Sequence, residues 1–144
     1  MRTIVVGIDG SAESKRALAF AIVEAKLRGA ELDVVHAWHY PLTATAGYAP
    51  PVEAGVYEAL ERSAKELVDE AVDEARAAGI EARGAAVEGP AAETLVEAAE
   101  GAELLVVGSR GRGGFKGLLL GSVSQQCAHH ARCAVAIVPH AHAA

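Results

Sequence analysis

One stretch constrains the fold more than any other: Val106 to Val123, which reads VVGSRGRGGFKGLLLGSV. Four apolar residues, Leu104 to Val107, run directly into Gly108, as a buried parallel strand would. Gly121-Ser122 opens the next helical pattern, with Ser122 suited to the N-cap. The order is therefore strand, glycine-rich loop, helix start. Glycines let backbone N–H groups approach an anion closely, and a helix start adds unpaired donors and the positive end of the dipole. Between Ser109 and Lys116 the loop carries Arg110, Arg112 and Lys116 and no acid, in a chain of formal net charge −6. A positive island at a helix start points to phosphate. The plainer reading is three solvated surface cations.

The rest of the chain alternates in the same way. A strand over about Thr3 to Asp9 leads into a helix over about Ala12 to Arg28. Ala17, Leu18, Ala21, Ile22 and Ala25 form its apolar face, and Gly29 stops it. A second strand covers about Glu31 to Ala37. Trp38 to Val52 contains Pro41, Gly47, Pro50 and Pro51 and reads as a loop. A second helix spans about Glu53 to Ala78, with Leu60, Ala64, Leu67, Ala71 and Ala75 inward. A third strand covers about Ile80 to Glu88. Pro90 suits the first turn of a third helix that ends near Gly101. A fourth strand spans Glu103 to Val107, a fourth helix about Ser122 to Ala131, and a fifth strand about Ala134 to Val138. This alternation implies an α/β fold, a parallel five-stranded sheet between two helical layers. Ligands on such sheets bind beyond the carboxyl ends of the strands, where the strand order reverses.

The glycine spacing resembles the G-x2-G-x9-G-S/T nucleotide-binding motif of the universal stress protein family, here Gly108, Gly111, Gly121 and Ser122. The resemblance extends over essentially the whole chain. Ile4 to Ser11 is similar to the family's first strand and its acidic end, Val34 to Ala37 to its second strand, and Cys133 to Pro139 to its last. It implies a Rossmann-like, adenine nucleotide alpha hydrolase-like sandwich with strand order 3-2-1-4-5, in one domain over residues 1–144. It also implies ATP as ligand, carried with magnesium. Asp9 would face the ribose or the metal, and Ala37 the adenine edge. Gly108 would allow close approach to the ribose–phosphate. Ser109 and Ser122 would give hydroxyls, and Gly111, Gly121 and Val123 backbone N–H groups; Arg110 begins the basic loop. From the residues alone, Asp9 could equally cap the helix that follows it. Trp38, beside Ala37, would report the ligand by its fluorescence or cover the rim of the core.

Composition excludes several classes. At 144 residues with 51% apolar and 22% charged side chains, the chain is an ordinary globular domain. No apolar run is long enough for a membrane span, and the amino terminus enters a strand without a signal-peptide pattern, so a cytoplasmic location is expected. An acidic total with its basic cluster in one loop argues against a nucleic-acid face. Cys127 and Cys133 are too few for a disulfide framework and fall on apolar elements. The six histidines match no zinc spacing. There is neither a Walker A loop nor a dinucleotide fingerprint. Catalysis is thinly supported, because Asp9 is the sole obvious acid at the crevice. The expected function is a nucleotide-binding stress sensor or regulator, with a slow ATPase or nucleotide hydrolase, or a cyclic-AMP-binding member of the same family, as alternatives. The last strand, residues 133–139, has no internal charge and lies at a sheet edge in the implied order. Pairing with its twin in a homodimer would cover it.

Overall fold

The computed structural model describes residues 2–39, 55–110 and 120–139. Strands β1 (Thr3–Gly7), β2 (Glu31–Trp38), β3 (Ala82–Glu88), β4 (Leu104–Gly108) and β5 (Ala134–Val138) alternate with helices α1 (Ala12–Arg28), α2 (Val56–Ala77), α3 (Ala91–Ala98) and α4 (Ser122–His130). All four strand pairings are parallel, in the order β3-β2-β1-β4-β5. The order reverses between β1 and β4, which pair from Ile4↔Leu104 to Val6↔Val106. Their carboxyl ends therefore open side by side, which is where a doubly wound sheet makes its crevice.

Each face of the sheet is sealed by its own core. Ile4 and Val6 of β1, Leu32 and Val34 of β2, and Leu104 and Val106 of β4 pack with Ala17, Leu18, Ala21 and Ala25 of α1 and Val68, Ala71, Val72 and Ala75 of α2. The alternate residues Val5, Val35, Leu105 and Val107 pack with Ala92 and Leu95 of α3 and Cys127 of α4. Because successive side chains of a strand point to opposite faces, this split assigns α1 and α2 to one layer and α3 and α4 to the other. The central strands carry apolar residues on both faces, and so read as continuous apolar runs rather than as alternating ones.

The ends of α1 fall where the sequence puts them. Ser11 caps its start, accepting from Ser14 N–H at 3.2 Å, and Gly29 closes it in the left-handed region at φ 63°. Elsewhere the structure corrects details. Trp38 ends β2 instead of beginning a loop. Pro90 is the N-cap of α3, and Gly121 rather than Ser122 is the N-cap of α4. On α2 the fully buried residues include Val68 and Val72, while Leu60 and Leu67 are only half-buried. The cause is close docking on β3. A Cβ at Gly84 would meet Val68 Cγ1 at 2.3 Å and Val72 Cγ2 at 2.8 Å, so these two valines occupy the space a side chain would need. Glu53, Pro41, Gly47, Pro50, Pro51, His140 and His142 lie outside the described residues.

Candidate functional site

At the switch point lies an open cleft between the carboxyl ends of β1 and β4. Its floor is apolar: Val35 and Ala37 from β2, Leu95 from α3, and Val107 from β4. Its other half is polar, with Asp9, Ser11 and Ser14 on one side and Gly108, Arg110, Gly121 and Ser124 on the other. Gly7 lets Leu95 lie flat on the floor, since a Cβ there would come within 2.6 Å of Leu95 Cδ1.

The β1 side is a compact, self-satisfied turn. Asp9 Oδ1 accepts the Ser11 N–H at 2.9 Å, closing an Asx turn. Gly10 takes φ 81°, a left-handed conformation that favours glycine. Ser14 Oγ accepts the Asp9 N–H at 3.2 Å. Asp9 thus stands at the cleft and orders the turn into α1, so the two sequence readings of this residue are compatible.

The β4 side is built differently. Ser109 N–H donates to Val138 O at 2.8 Å, while Ser109 O accepts the Gly121 N–H at 2.6 Å. Ser124, which the sequence reading passed over, is 2% exposed and donates its hydroxyl to Ser109 O at 2.8 Å, with Gly121 O at 3.0 Å. These bonds fasten the two ends of the glycine loop to each other. Gly121 makes no side-chain cap. Among the described residues, the N–H groups of Ser122, Val123 and Ser124 therefore have no intrahelical acceptor and no side-chain cap. A signal for Ser124 did exist: a serine at the third helical position, within reach of the carbonyl that precedes the loop.

The structure gathers Asp9, Ala37, Gly108, Arg110, Gly121 and Val123 around the cleft. Ser109 and Ser122 do not line it. Ser109 Oγ is buried and has no hydrogen-bond partner among the described residues. Ser122 is exposed, and its Oγ accepts from Gln126 Nε2 at 3.2 Å, leaving its own hydroxyl hydrogen to give. Gly111, Arg112 and Lys116 lie outside the described residues. Two of the glycines also serve the fold. At Gly108 a Cβ would come within 2.9 Å of Glu13 Cβ and 3.1 Å of the Glu13 carbonyl carbon, so this glycine serves the packing of β4 against α1. Gly121 has φ −76° and ψ 170°, an extended conformation open to any residue, and its N–H is already used by Ser109.

Trp38 does not line the cleft. It shares its face of β2 with Leu32 and Val34, opposite to Val35 and Ala37, and its ring lies 5.4 Å from that of Tyr57 on α2. The Tyr57 hydroxyl donates to Glu88 Oε2 at 2.5 Å, which raises the Tyr57 pKa. Burial pushes the Cys127 thiol up to about 11, so it sits in α4 as a small apolar group rather than as a nucleophile. Among the described residues no three acidic, histidine or cysteine side chains form a metal-holding group. No described helix is long and apolar enough to cross a membrane.

The sequence profile of the universal stress protein family matches residues 1–139. A universal stress protein of Mycolicibacterium smegmatis is 36% identical over 137 residues, covering 94% of this chain and 45% of that protein. The chain spans about half the length of several curated relatives it matches. A universal stress protein solved in complex with cAMP superposes with a TM-score of 0.72 at 32% identity, covering 95% of this chain and 96% of that one. The universal stress protein from Archaeoglobus fulgidus solved in complex with dAMP gives a TM-score of 0.72 at 25% identity, covering 96% and 98%.

Proposed function

The chain belongs to the universal stress protein family, and on that footing we propose that its cleft binds an adenine nucleotide and that the bound state governs contacts with partners. One observation carries this reading. A cleft with an apolar floor for a base is lined at its other end by Gly121, Val123 and Ser124, at a helix start without a side-chain cap, and by the cationic Arg110. That is a base pocket joined to an anion pocket. The adenine would lie over Val35 and Leu95 with its edge at Ala37. The phosphates would take the N–H groups of Ser122, Val123 and Ser124, with Arg110 beside them. Gly111, from outside the described residues, would add a further backbone donor.

ATP is the fullest occupant this arrangement would accept. Magnesium bound to it would fall near Asp9, the acid on the opposite wall, and would neutralise phosphate charge. Cyclic AMP is the second reading, favoured by the cAMP complex of the relative 32% identical to this chain. Slow hydrolysis is a third, and it rests on Asp9 alone. We place the protein in the cytoplasm, as a homodimer paired through β5, an edge strand whose residues Ala134 to Val138 carry no charge.

The test is mass spectrometry of nucleotide retained on freshly purified protein, followed by titration calorimetry with ATP, ADP, AMP and cAMP. One adenine nucleotide per chain is expected. Protein that carries none and gives no heat with any of the four contradicts the proposal. Magnesium-dependent phosphate release that disappears in Asp9→Ala would move the reading from sensor to hydrolase.

A further inference from the structure

We infer that His36 is a positioning residue for base recognition: it draws the Ile8 carbonyl out of the β1–β2 ladder and so leaves the peptide edge of Ala37 open at the cleft. This inference rests on the adenine-nucleotide reading and deepens it.

The ladder itself shows the break. In a parallel sheet the backbone groups of alternate residues face opposite neighbours. On β2 the odd-numbered residues face β1: Glu31 N–H donates to Arg2 O, and Val35 O accepts from Ile8 N–H, both at 2.9 Å. The even-numbered residues face β3: Leu32 N–H donates to Glu81 O, and Trp38 O accepts from Gly89 N–H, again both at 2.9 Å. One more rung on the β1 side would join Ala37 N–H to Ile8 O and Ala37 O to Gly10 N–H. Neither bond forms among the described residues. Instead, His36 Nδ1 lies 2.7 Å from Ile8 O.

A carbonyl can only accept, so Nδ1 carries the hydrogen. Both the neutral Nδ1–H tautomer and the imidazolium satisfy this. The result is a half-buried residue, Ala37, that lines the cleft with a backbone donor and acceptor that the β1 ladder leaves unused among the described residues. Backbone groups released from a ladder at a cleft can give their hydrogen bonds to a ligand. Adenine offers the complement: N1 accepts from the Ala37 N–H, and the 6-amino group donates to the Ala37 carbonyl. Hypoxanthine reverses the pattern, with a donor at N1 and an acceptor at O6, and meets two clashes of like polarity. The open edge therefore selects adenine by the hydrogen-bonding edge of the base and not by shape.

The test uses His36→Leu, which has no donor, and His36→Asn, whose Nδ2 occupies about the place of Nδ1. The first readout needs no ligand. In nucleotide-free protein the Ala37 amide should exchange rapidly by NMR hydrogen exchange. In His36→Leu the freed Ile8 carbonyl should capture it and slow exchange by at least roughly tenfold, while His36→Asn keeps the parent rate. The second readout is calorimetry with AMP and IMP. The parent should prefer AMP, and His36→Leu should lose roughly tenfold of that preference, about one hydrogen bond in value, with His36→Asn restoring it. A fold defect would weaken both nucleotides alike. A protected Ala37 amide in the parent overturns the inference, whatever the variants do. So does an unchanged AMP-to-IMP ratio in a folded His36→Leu. If neither nucleotide binds a parent whose Ala37 amide exchanges fast, the adenine-nucleotide reading falls and the recognition role falls with it, while the ladder break stands.

Discussion

Two helices begin at the same cleft, α1 after β1 and α4 after β4, and their first turns are solved in opposite ways. At α1 the turn uses its own side chains. Ser11 Oγ takes the Ser14 N–H, Asp9 Oδ1 takes the Ser11 N–H, and Glu13 adds a carboxylate to the first turn. The positive end of that helix is thereby largely neutralised. At α4 the cap is a glycine without a side chain, the first turn holds no acid, and the bonds from Gly121 N–H and the Ser124 hydroxyl go to backbone carbonyls and fasten the loop ends instead of capping the helix. The difference teaches how one crevice acquires two chemistries. The α1 side supplies acid and a rigid turn, suited to a ribose or a cation. The α4 side supplies unpaired N–H groups, suited to phosphate. A binding site on this fold thus depends as much on which helix is left uncapped as on where the glycines fall.

Substitutions that remove the asymmetry should act most strongly on ligand affinity. Gly121→Val should lower ATP affinity by at least roughly a hundredfold, or about 2.7 kcal/mol. Its Cβ would enter the cleft where the phosphate approaches, while the extended backbone at this position accepts valine without strain. Titration calorimetry checks the affinity, and an unchanged circular dichroism spectrum checks the fold.

Gly108→Ala should act on stability instead, because its Cβ would strike the Glu13 backbone at the start of α1. A loss of about 1–3 kcal/mol is expected in urea denaturation. A neutral result would contradict the packing role of Gly108.

The capping contrast gives a smaller, paired effect. Ser11→Ala should cost about 1 kcal/mol of stability, since it removes a side-chain cap. Ser122→Ala should stay within about 0.5 kcal/mol, because Ser122 is exposed and caps nothing. Equal costs would mean that α4 is capped after all.

The smallest effect concerns a half-buried acid toward the far end of β2. Burial raises the Asp33 pKa above its ordinary value, and the Arg83 guanidinium 3.8 Å away opposes this only in part. A folded-state pKa above the unfolded one means that the native state holds its proton more tightly. The stabilisation is complete below the unfolded value of 3.8 and is lost as the pH rises through the folded pKa. Asp33→Asn should therefore be slightly more stable than the parent at pH 7, with the gain vanishing below about pH 3.8. Denaturant midpoints across that window measure it.

Much of this was legible in the residues. The bounds of α1 followed from Ser11, Gly29 and a clean apolar face, because helix ends obey local rules. The strand order did not follow from periodicity, which ranks strands by burial but not by neighbour. It came with the family resemblance, and the register bears it out. Ser122 looked like a cap because serine outranks glycine there, but the carbonyl of Ser109, fifteen residues before Ser124, decides where α4 begins. Val68 and Val72 were hidden behind Leu60 and Leu67, since their burial depends on the missing side chain of Gly84 across the layer. Trp38 was read from the prolines that follow it, whereas its pairing with β3 keeps it in the strand. Local chemistry was readable, and contacts between distant elements were not.

The central claim is that the uncapped start of α4, and not the start of α1, receives the phosphates. Amide NMR shifts on adding ATP to the full chain test it most directly. The largest changes should fall on the N–H groups of Ser122, Val123 and Ser124, with those of Ala12, Glu13 and Ser14 nearly unmoved. Dominant shifts at Ala12 to Ser14, or saturating ATP with no shift at the start of α4, would contradict the account.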